Sequence, residues 1–193
     1  HDLVVGGGFG VDGRPDGERL DLDRLLRDIR TAVGDEVGAR RLAMPRIGIE
    51  PGRSIVATAG TSLYRVGAVK RHGDHRFAIV DGSIADNPRP ALYGAYHHPA
   101  LAGRSSRAAF EEFTVCGRSC ESDRLVVAPL PADLAAGDLL AVGTAGAYTY
   151  SMASNYNRFP KPAVAFAGRG EHRLVVRRER DADVLRNDVD EPR

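Results

Sequence analysis

The spacing of apolar residues changes near residue 54, and this change constrains the fold more than any single motif. Before it, Asp2-Leu3-Val4-Val5 is a short β-branched run that ends in Gly6-Gly7-Gly8-Phe9-Gly10. Such a run reads as a buried strand entering a tight loop. Leu22, Leu25, Leu26, Ile29 and Val33 then recur at helical spacing, with Asp21 placed to cap the helix and Gly34 to end it. Arg46-Ile47-Gly48-Ile49 is a second strand, closed by Glu50-Pro51-Gly52-Arg53. Strand, loop, helix, strand implies parallel pairing. After residue 54 helical periodicity largely disappears. Residues 63–69, 76–80, 108–115, 125–127, 138–142, 163–167 and 172–176 are short, strand-like and separated by Gly and Pro. That is an all-β pattern, a sandwich or a barrel. The chain therefore reads as α+β, with an α/β region at 1–53 and a β domain at 54–193. Residues 181–188 suit one or two closing helical turns.

Composition narrows the function classes. The 27 basic residues nearly balance 26 acidic ones, for a formal charge of +1. That balance argues against a highly basic nucleic-acid binder. No run approaches the 18 or so apolar residues of a membrane span. The start lacks the basic and apolar regions of a signal peptide. Cys116 and Cys120 are too few for a disulfide framework, so a reducing cytoplasm is the default. Residue 1 falls on the first strand, so the expectation is the C-terminal portion of something larger. Among the basic residues only Lys70 and Lys161 are lysines.

Several segments carry chemistry, each beside a plainer reading. Glycines after a strand let backbone N–H groups approach an anion, phosphate being the usual one. The spacing fits neither a dinucleotide fingerprint, since the third glycine position is Val11, nor a Walker loop. Phosphate binding and a simple tight turn stay equally open. Glu50-Pro51-Gly52-Arg53, taken alone, reads as a turn with a surface ion pair. Asp81-Gly82 reads first as a hairpin turn. In Asn87-Pro88-Arg89-Pro90-Ala91-Leu92-Tyr93-Gly94, two prolines fix the backbone around Arg89, which suits carboxylate recognition. The alternative is a solvated Pro-rich loop. Cys116 and Cys120 stand at C-x3-C spacing, and His72, His75, His97 and His98 have no metal-ligand pattern, so no metal site is expected. The segment 146–157 is dense in hydroxyls but has no triad partners.

GGGFG, EPGR, DNPRPALYGA, CES, GDLLAV and GAYTYSMASNYN follow one another in this order. Together they resemble the fold-type III pyridoxal-phosphate decarboxylases, and within them the diaminopimelate decarboxylases, from Asp2 to about Asp188. The resemblance implies decarboxylation of meso-diaminopimelate to L-lysine, with pyridoxal 5'-phosphate as cofactor. It also implies a TIM-type barrel before a C-terminal β domain, of Greek-key sandwich or barrel-like form, and a homodimer with shared active sites. Residues 1–53 would be the last barrel units and 54–193 the β domain.

The resemblance also implies roles. Gly6, Gly7 and Gly8 would offer N–H groups to the cofactor phosphate. Glu50 would face the pyridine nitrogen and keep it protonated. Gly52 and Arg53 would contact the phosphate, and Arg53 the substrate as well. Arg89 and Tyr93 would hold the distal carboxylate of the substrate, and Tyr148 would hydrogen-bond near phosphate and substrate. Cys120 would protonate the carbon in the partner subunit's site, and Glu121 would recognise the distal amino group there. Asp81 is a further pocket candidate. Two departures stand out. The family has Cys-Glu-Ser-Gly-Asp where this chain has Cys120-Glu121-Ser122-Asp123-Arg124. The family's Schiff-base lysine precedes the triple glycine, and neither Lys70 nor Lys161 matches it. Three readings follow: the C-terminal portion of a diaminopimelate decarboxylase, inactive in isolation; a non-catalytic remnant that serves as a dimerisation or interaction module; or a decarboxylase of ornithine or arginine.

Overall fold

Strand β1 (Asp2–Val4) pairs in parallel with β2 (Arg46–Gly48), with Leu3 opposite Ile47, in the computed structural model of the chain, which describes residues 1–120 and 123–189. Helix α1 (Leu22–Ala39) connects them. Asp21 caps it as the sequence suggests: its carboxylate accepts the Arg24 N–H at 2.9 Å. Gly34 does not end the helix, which runs on through Gly38 to a cap at Arg40. A glycine stops a helix by taking a left-handed conformation, and neither Gly34 nor Gly38 does so. The Glu36–Arg40 ion pair, one turn apart, supports the extra turn.

The expectation that β1 is buried is not met. Leu3, Val4 and Val5 are 41%, 57% and 48% exposed, and α1 buries none of its residues. A two-stranded parallel ribbon gives each strand one neighbour, and only layers packed on both faces would bury it.

Helix α2 (Arg53–Val56) and a 3-10 turn at Ala57–Ala59 lead into the sheet region. Six strands follow: β3 (Ser62–His72), β4 (His75–Val80), β5 (Pro99–Ala102), β6 (Phe110–Cys116), β7 (Arg124–Pro131) and β8 (Leu139–Val142). They form one sheet in the order β5-β8-β3-β4-β6-β7, antiparallel except for β4 with β6. The two edge strands approach each other, so the sheet curls into a nearly closed barrel. Of the two expected forms, the barrel-like one is found and a sandwich is not.

The period of two places alternate side chains inside. Tyr64, Val66, Ala78, Val80, Phe113, Val115, Ala128, Leu130, Leu140 and Val142 make up most of one buried cluster. Full burial of residues such as Phe113 or Leu140 stabilises by about 1.5–3 kcal/mol each. The sequence reading missed β5 and cut β7 short at Val127. Both are edge strands, and Pro99, Pro129 and Pro131 are tolerated there because an edge strand has unpaired N–H positions.

Asp81-Gly82 is not a hairpin turn. The β3–β4 hairpin closes at Gly73-Asp74, where Gly73 has φ +58°. Asp81 instead clamps β3: its N–H donates to the Arg65 carbonyl at 3.0 Å and its carboxylate accepts the Arg65 N–H at 2.8 Å. The segment around Arg89 is a short helix, α3 (Arg89–Tyr93), ended by Gly94 at φ +60°. The chain closes with a separate hairpin, β9 (Val164–Gly168) and β10 (Glu171–Val176), and helix α4 (Asp181–Val184).

Candidate functional site

The site begins where the parallel strands end. Pairing continues past β1 and β2: Val5 N–H donates to the Gly48 carbonyl at 2.9 Å, and Glu50 N–H to the Gly6 carbonyl at 2.8 Å. The glycine loop and Glu50 are therefore neighbours at the carboxyl ends of parallel strands, where α/β sheets place ligands. Gly6 and Gly8 have φ of +90° and +85°. A Cβ at Gly7 would lie 2.6 Å from the Glu50 carbonyl oxygen. Each of the three positions thus excludes a side chain for a stated reason, and the loop backbone stays bare.

A second close approach adds Tyr148. A Cβ at Gly52 would lie 2.7 Å from the Tyr148 hydroxyl oxygen. This seating depends on two glycines the sequence reading did not single out. Gly60 and Gly146 pack backbone to backbone, and a Cβ at Gly60 would lie 2.3 Å from the Gly146 Cα. Gly146 N–H donates to the Ala57 carbonyl at 2.9 Å, and Ala145 N–H to the Gly60 carbonyl at 2.9 Å. The tight contact holds the turn after α2 against the segment that bears Tyr148, whose φ is +58°. The sequence signal was present, as a glycine in each of two turn segments, but not their pairing.

Arg89 joins the group from α3. Its guanidinium carbon lies 5.3 Å from the Tyr93 ring centre and 5.8 Å from that of Tyr148. Arg53 and Arg89 both line a cavity of about 690 Å³, together with His97, Thr144 and the loop from Gly10 to Asp21. No carboxylate of the described residues forms an ion pair with either guanidinium.

His97 is the other residue that sequence reading missed. It is 4% exposed, and its Nδ1 lies 3.1 Å from the Gly143 carbonyl oxygen, which makes Nδ1 the protonated nitrogen. Among the described residues its Nε2 has no hydrogen-bond partner within normal distance and angle. Burial, then the nearby Arg89 and Arg53 charges, holds the imidazole below its ordinary pKa.

The arrangement brings together Gly6, Gly7, Gly8 and Glu50 at one strand end, and Gly52, Tyr148, Arg89 and Tyr93 by successive contact. Arg53 shares the cavity with Arg89. The two guanidiniums, without carboxylate ion-pair partners among the described residues, fit an anionic ligand bearing phosphate or carboxylate groups. The cavity they share is lined by neither the Gly6–Gly8 loop, Glu50, Tyr93 nor Tyr148, and Asp12, Glu18, Asp21 and Asp28 also line it. Cys120 is not part of it: it is exposed in the loop after β6 and lines neither this cavity nor the one beside it. Glu121 lies outside the described residues. Asp81 is engaged with β3, as described above. Among the described residues no group of three or more His, Cys, Asp or Glu is placed to hold a metal ion. No helix of the described residues is long and apolar enough to cross a membrane.

Comparison with known proteins adds to this geometry. Residues 19–146 match the family described as pyridoxal-dependent decarboxylase, C-terminal sheet domain. The chain is 46% identical over 189 residues to diaminopimelate decarboxylase of Actinosynnema pretiosum subsp. auranticum, and 43% identical over 190 residues to that of Bacillus subtilis (strain 168). Each alignment covers 97% of this chain and 43% of the relative. A solved structure of diaminopimelate decarboxylase from M. jannaschii in co-complex with L-lysine superposes with a TM-score of 0.85 at 31% identity, over 99% of this chain and 43% of that one. The chain thus spans somewhat under half the length of the relatives it matches.

Proposed function

The chain belongs to the pyridoxal-dependent decarboxylases, through their C-terminal sheet domain, and on that premise we propose that it is the C-terminal part of a diaminopimelate decarboxylase. In this reading the protein releases CO2 from meso-diaminopimelate to form L-lysine. Residues 1–53 are the last units of a TIM-type barrel and residues 54–193 the β domain. The exposed apolar residues Leu3 and Val4 of β1 support this, because parallel strands are covered on both faces in complete α/β folds. The identities to two diaminopimelate decarboxylases support the substrate.

Pyridoxal 5'-phosphate, when bound, supplies an electron sink for the pair left behind by departing CO2. The residues of this chain do the rest. N–H groups of Gly6, Gly7 and Gly8, with Gly52 and Arg53, hold the phosphate. The Glu50 carboxylate keeps a proton on the pyridine nitrogen. Arg89 and Tyr93 hold the distal carboxylate of the substrate, and Tyr148 orients phosphate and substrate through its hydroxyl. Cys120, in the partner subunit's site of a homodimer, delivers the proton to the carbon that lost CO2. Glu121 binds the distal amino group in that same site. The covalent lysine comes from outside these residues: Lys70 is on β3, and Lys161 lies between Pro160 and Pro162 with its N–H bonded to the Glu179 carboxylate at 2.9 Å. The setting is the cytoplasm, with both cysteines free.

The observation that carries the reading is the convergence of Arg53 and Arg89 on one cavity, with Tyr148 seated between Arg89 and Gly52. It is tested in a lysine auxotroph that lacks diaminopimelate decarboxylase. The chain joined to the barrel portion of the B. subtilis relative restores growth without lysine, and the same fusion with Arg89→Met does not. Growth that needs lysine with a soluble fusion would overturn the proposal.

A further inference from the structure

Residues 117–120, which follow β6 and end in Cys120, are tied to a buried carboxylate. Asp123 is 4% exposed. One of its oxygens accepts the Ser119 N–H at 2.9 Å, next to Cys120. The other accepts the Ile84 N–H at 2.7 Å, in a different part of the chain. The Asp123 backbone carbonyl accepts the Gly117 N–H at 2.7 Å. Arg118 N–H donates to the Gly82 carbonyl at 3.1 Å, and its guanidinium stacks 4.0 Å from the Phe159 ring centre. The space is filled: a Cβ at Gly117 would lie 2.3 Å from the Asp123 Oδ2.

The Ile84 side of this junction leads to Arg89. Ser83 N–H donates to the Asp86 carboxylate at 2.9 Å, and Asn87 N–H to the Ser83 carbonyl at 3.2 Å. Asn87 Oδ1 in turn accepts the Arg89 N–H at 3.3 Å. Ser83, Asp86 and Asn87 are all buried. A buried polar network of this kind is stiff, because each member lost leaves an unsatisfied partner.

We propose that Asp123 is a positioning residue that locks the Cys120 loop to the segment bearing Arg89, so that the two shift together. The proposal rests on the reading that Arg89 serves this chain's own active site and Cys120 the partner's. In that setting the lock ties a group of one site to a group of the other. A substrate that pulls on Arg89 then moves the proton donor of the neighbouring site.

The test needs no catalysis, so its failure and the failure of the decarboxylase reading are separate. The 193-residue chain carrying Cys116→Ala is alkylated at Cys120, and the Arg89 Nε–Hε resonance is followed by NMR. The expected result is a shift of that resonance on alkylation, lost in Asp123→Asn, with Ser119 and Ile84 amide exchange at least tenfold faster. A purely structural role would speed the exchange but leave the Arg89 response unchanged. No shift in the parent chain, or a shift that persists in Asp123→Asn, overturns the proposal. If Asp123→Asn fails to fold, Gly117→Ala, whose methyl displaces the carboxylate, takes its place with the same two outcomes.

Discussion

The Tyr148 hydroxyl approaches Gly52 so closely that a single added carbon at residue 52 would lie 2.7 Å from it. The contact joins the strand-end loop to the segment after β8, and the half-exposed Tyr148 ring has open space to swing into. Gly52→Ala should therefore displace Tyr148 rather than be absorbed by the backbone. We expect pyridoxal phosphate to bind the barrel-joined chain about tenfold more weakly, roughly 1.4 kcal/mol, with little change in melting temperature. Calorimetric titration checks this, and an unchanged Kd would show that Tyr148 is not engaged with the cofactor.

His97 should remain neutral where an ordinary histidine is half protonated. Burial and the Arg89 and Arg53 charges push its pKa below 6.5. The unfolded chain then binds more protons than the folded one in the window just below 6.5. The stabilisation is fully present above that window and falls as pH drops through it. Nitrogen-15 NMR at pH 6.5 should show one tautomer with the proton on Nδ1. His97→Leu should flatten the pH dependence of the melting temperature in this range, and an unaltered slope would count against a buried neutral imidazole.

Arg104 should matter to stability although it lies at the surface. Its guanidinium bonds the Asp138 carboxylate at 2.7 Å through both Nε and Nη2, the Asp133 side chain at 3.2 Å and the Asp133 carbonyl at 3.0 Å. Hydrogen bonds to Ser106 and Arg104 draw the Asp133 carboxyl below 3.8, and the bond to Arg104 does so for Asp138. Lowered carboxyl values stabilise above the unfolded pKa, and that stability is lost as pH falls through the folded values. Arg104→Leu should lower the melting temperature by a few degrees at pH 7. The difference between the two proteins should shrink below pH 3.8, and a difference that stays constant down to about pH 2 would contradict the assignment.

The parallel ribbon should make the isolated chain associate. Leu3, Val4, Val5, Leu42 and Met44 are exposed on and beside β1 and β2, and unpaired strand edges template further pairing. Light scattering should report a mass that rises with concentration, and Val4→Asp should reduce the rise. A monomer at all concentrations would show that the ribbon is not adhesive.

How much of this was legible beforehand depended on the kind of interaction. The β3 and β4 core pattern could be read directly, since alternation from Tyr64 to Val66 and from Ala78 to Val80 is local information. The Asp21 cap could also be read, because capping acts within one turn. Pro99 hid one edge strand, and Pro129 and Pro131 shortened another, because proline counts against a strand only when both neighbours are present. The glycine loop was visible as a candidate, but whether it was a cradle or a mere turn depended on Glu50, more than 40 residues away in sequence. The pairings Gly60 with Gly146, His97 with Gly143 and Asp123 with Ile84 are long-range contacts with no local signature. They could be found only once the fold had placed them.

The most direct test of the central claim is CO2 release from meso-diaminopimelate. The chain is purified alone and, separately, joined to the barrel portion of the Bacillus subtilis relative, each with pyridoxal phosphate. The account predicts no release from the chain alone and substrate-dependent release, with L-lysine as product, from the joined protein. A joined protein that folds and binds the cofactor yet releases no CO2 would contradict it, as would release by the 193 residues alone.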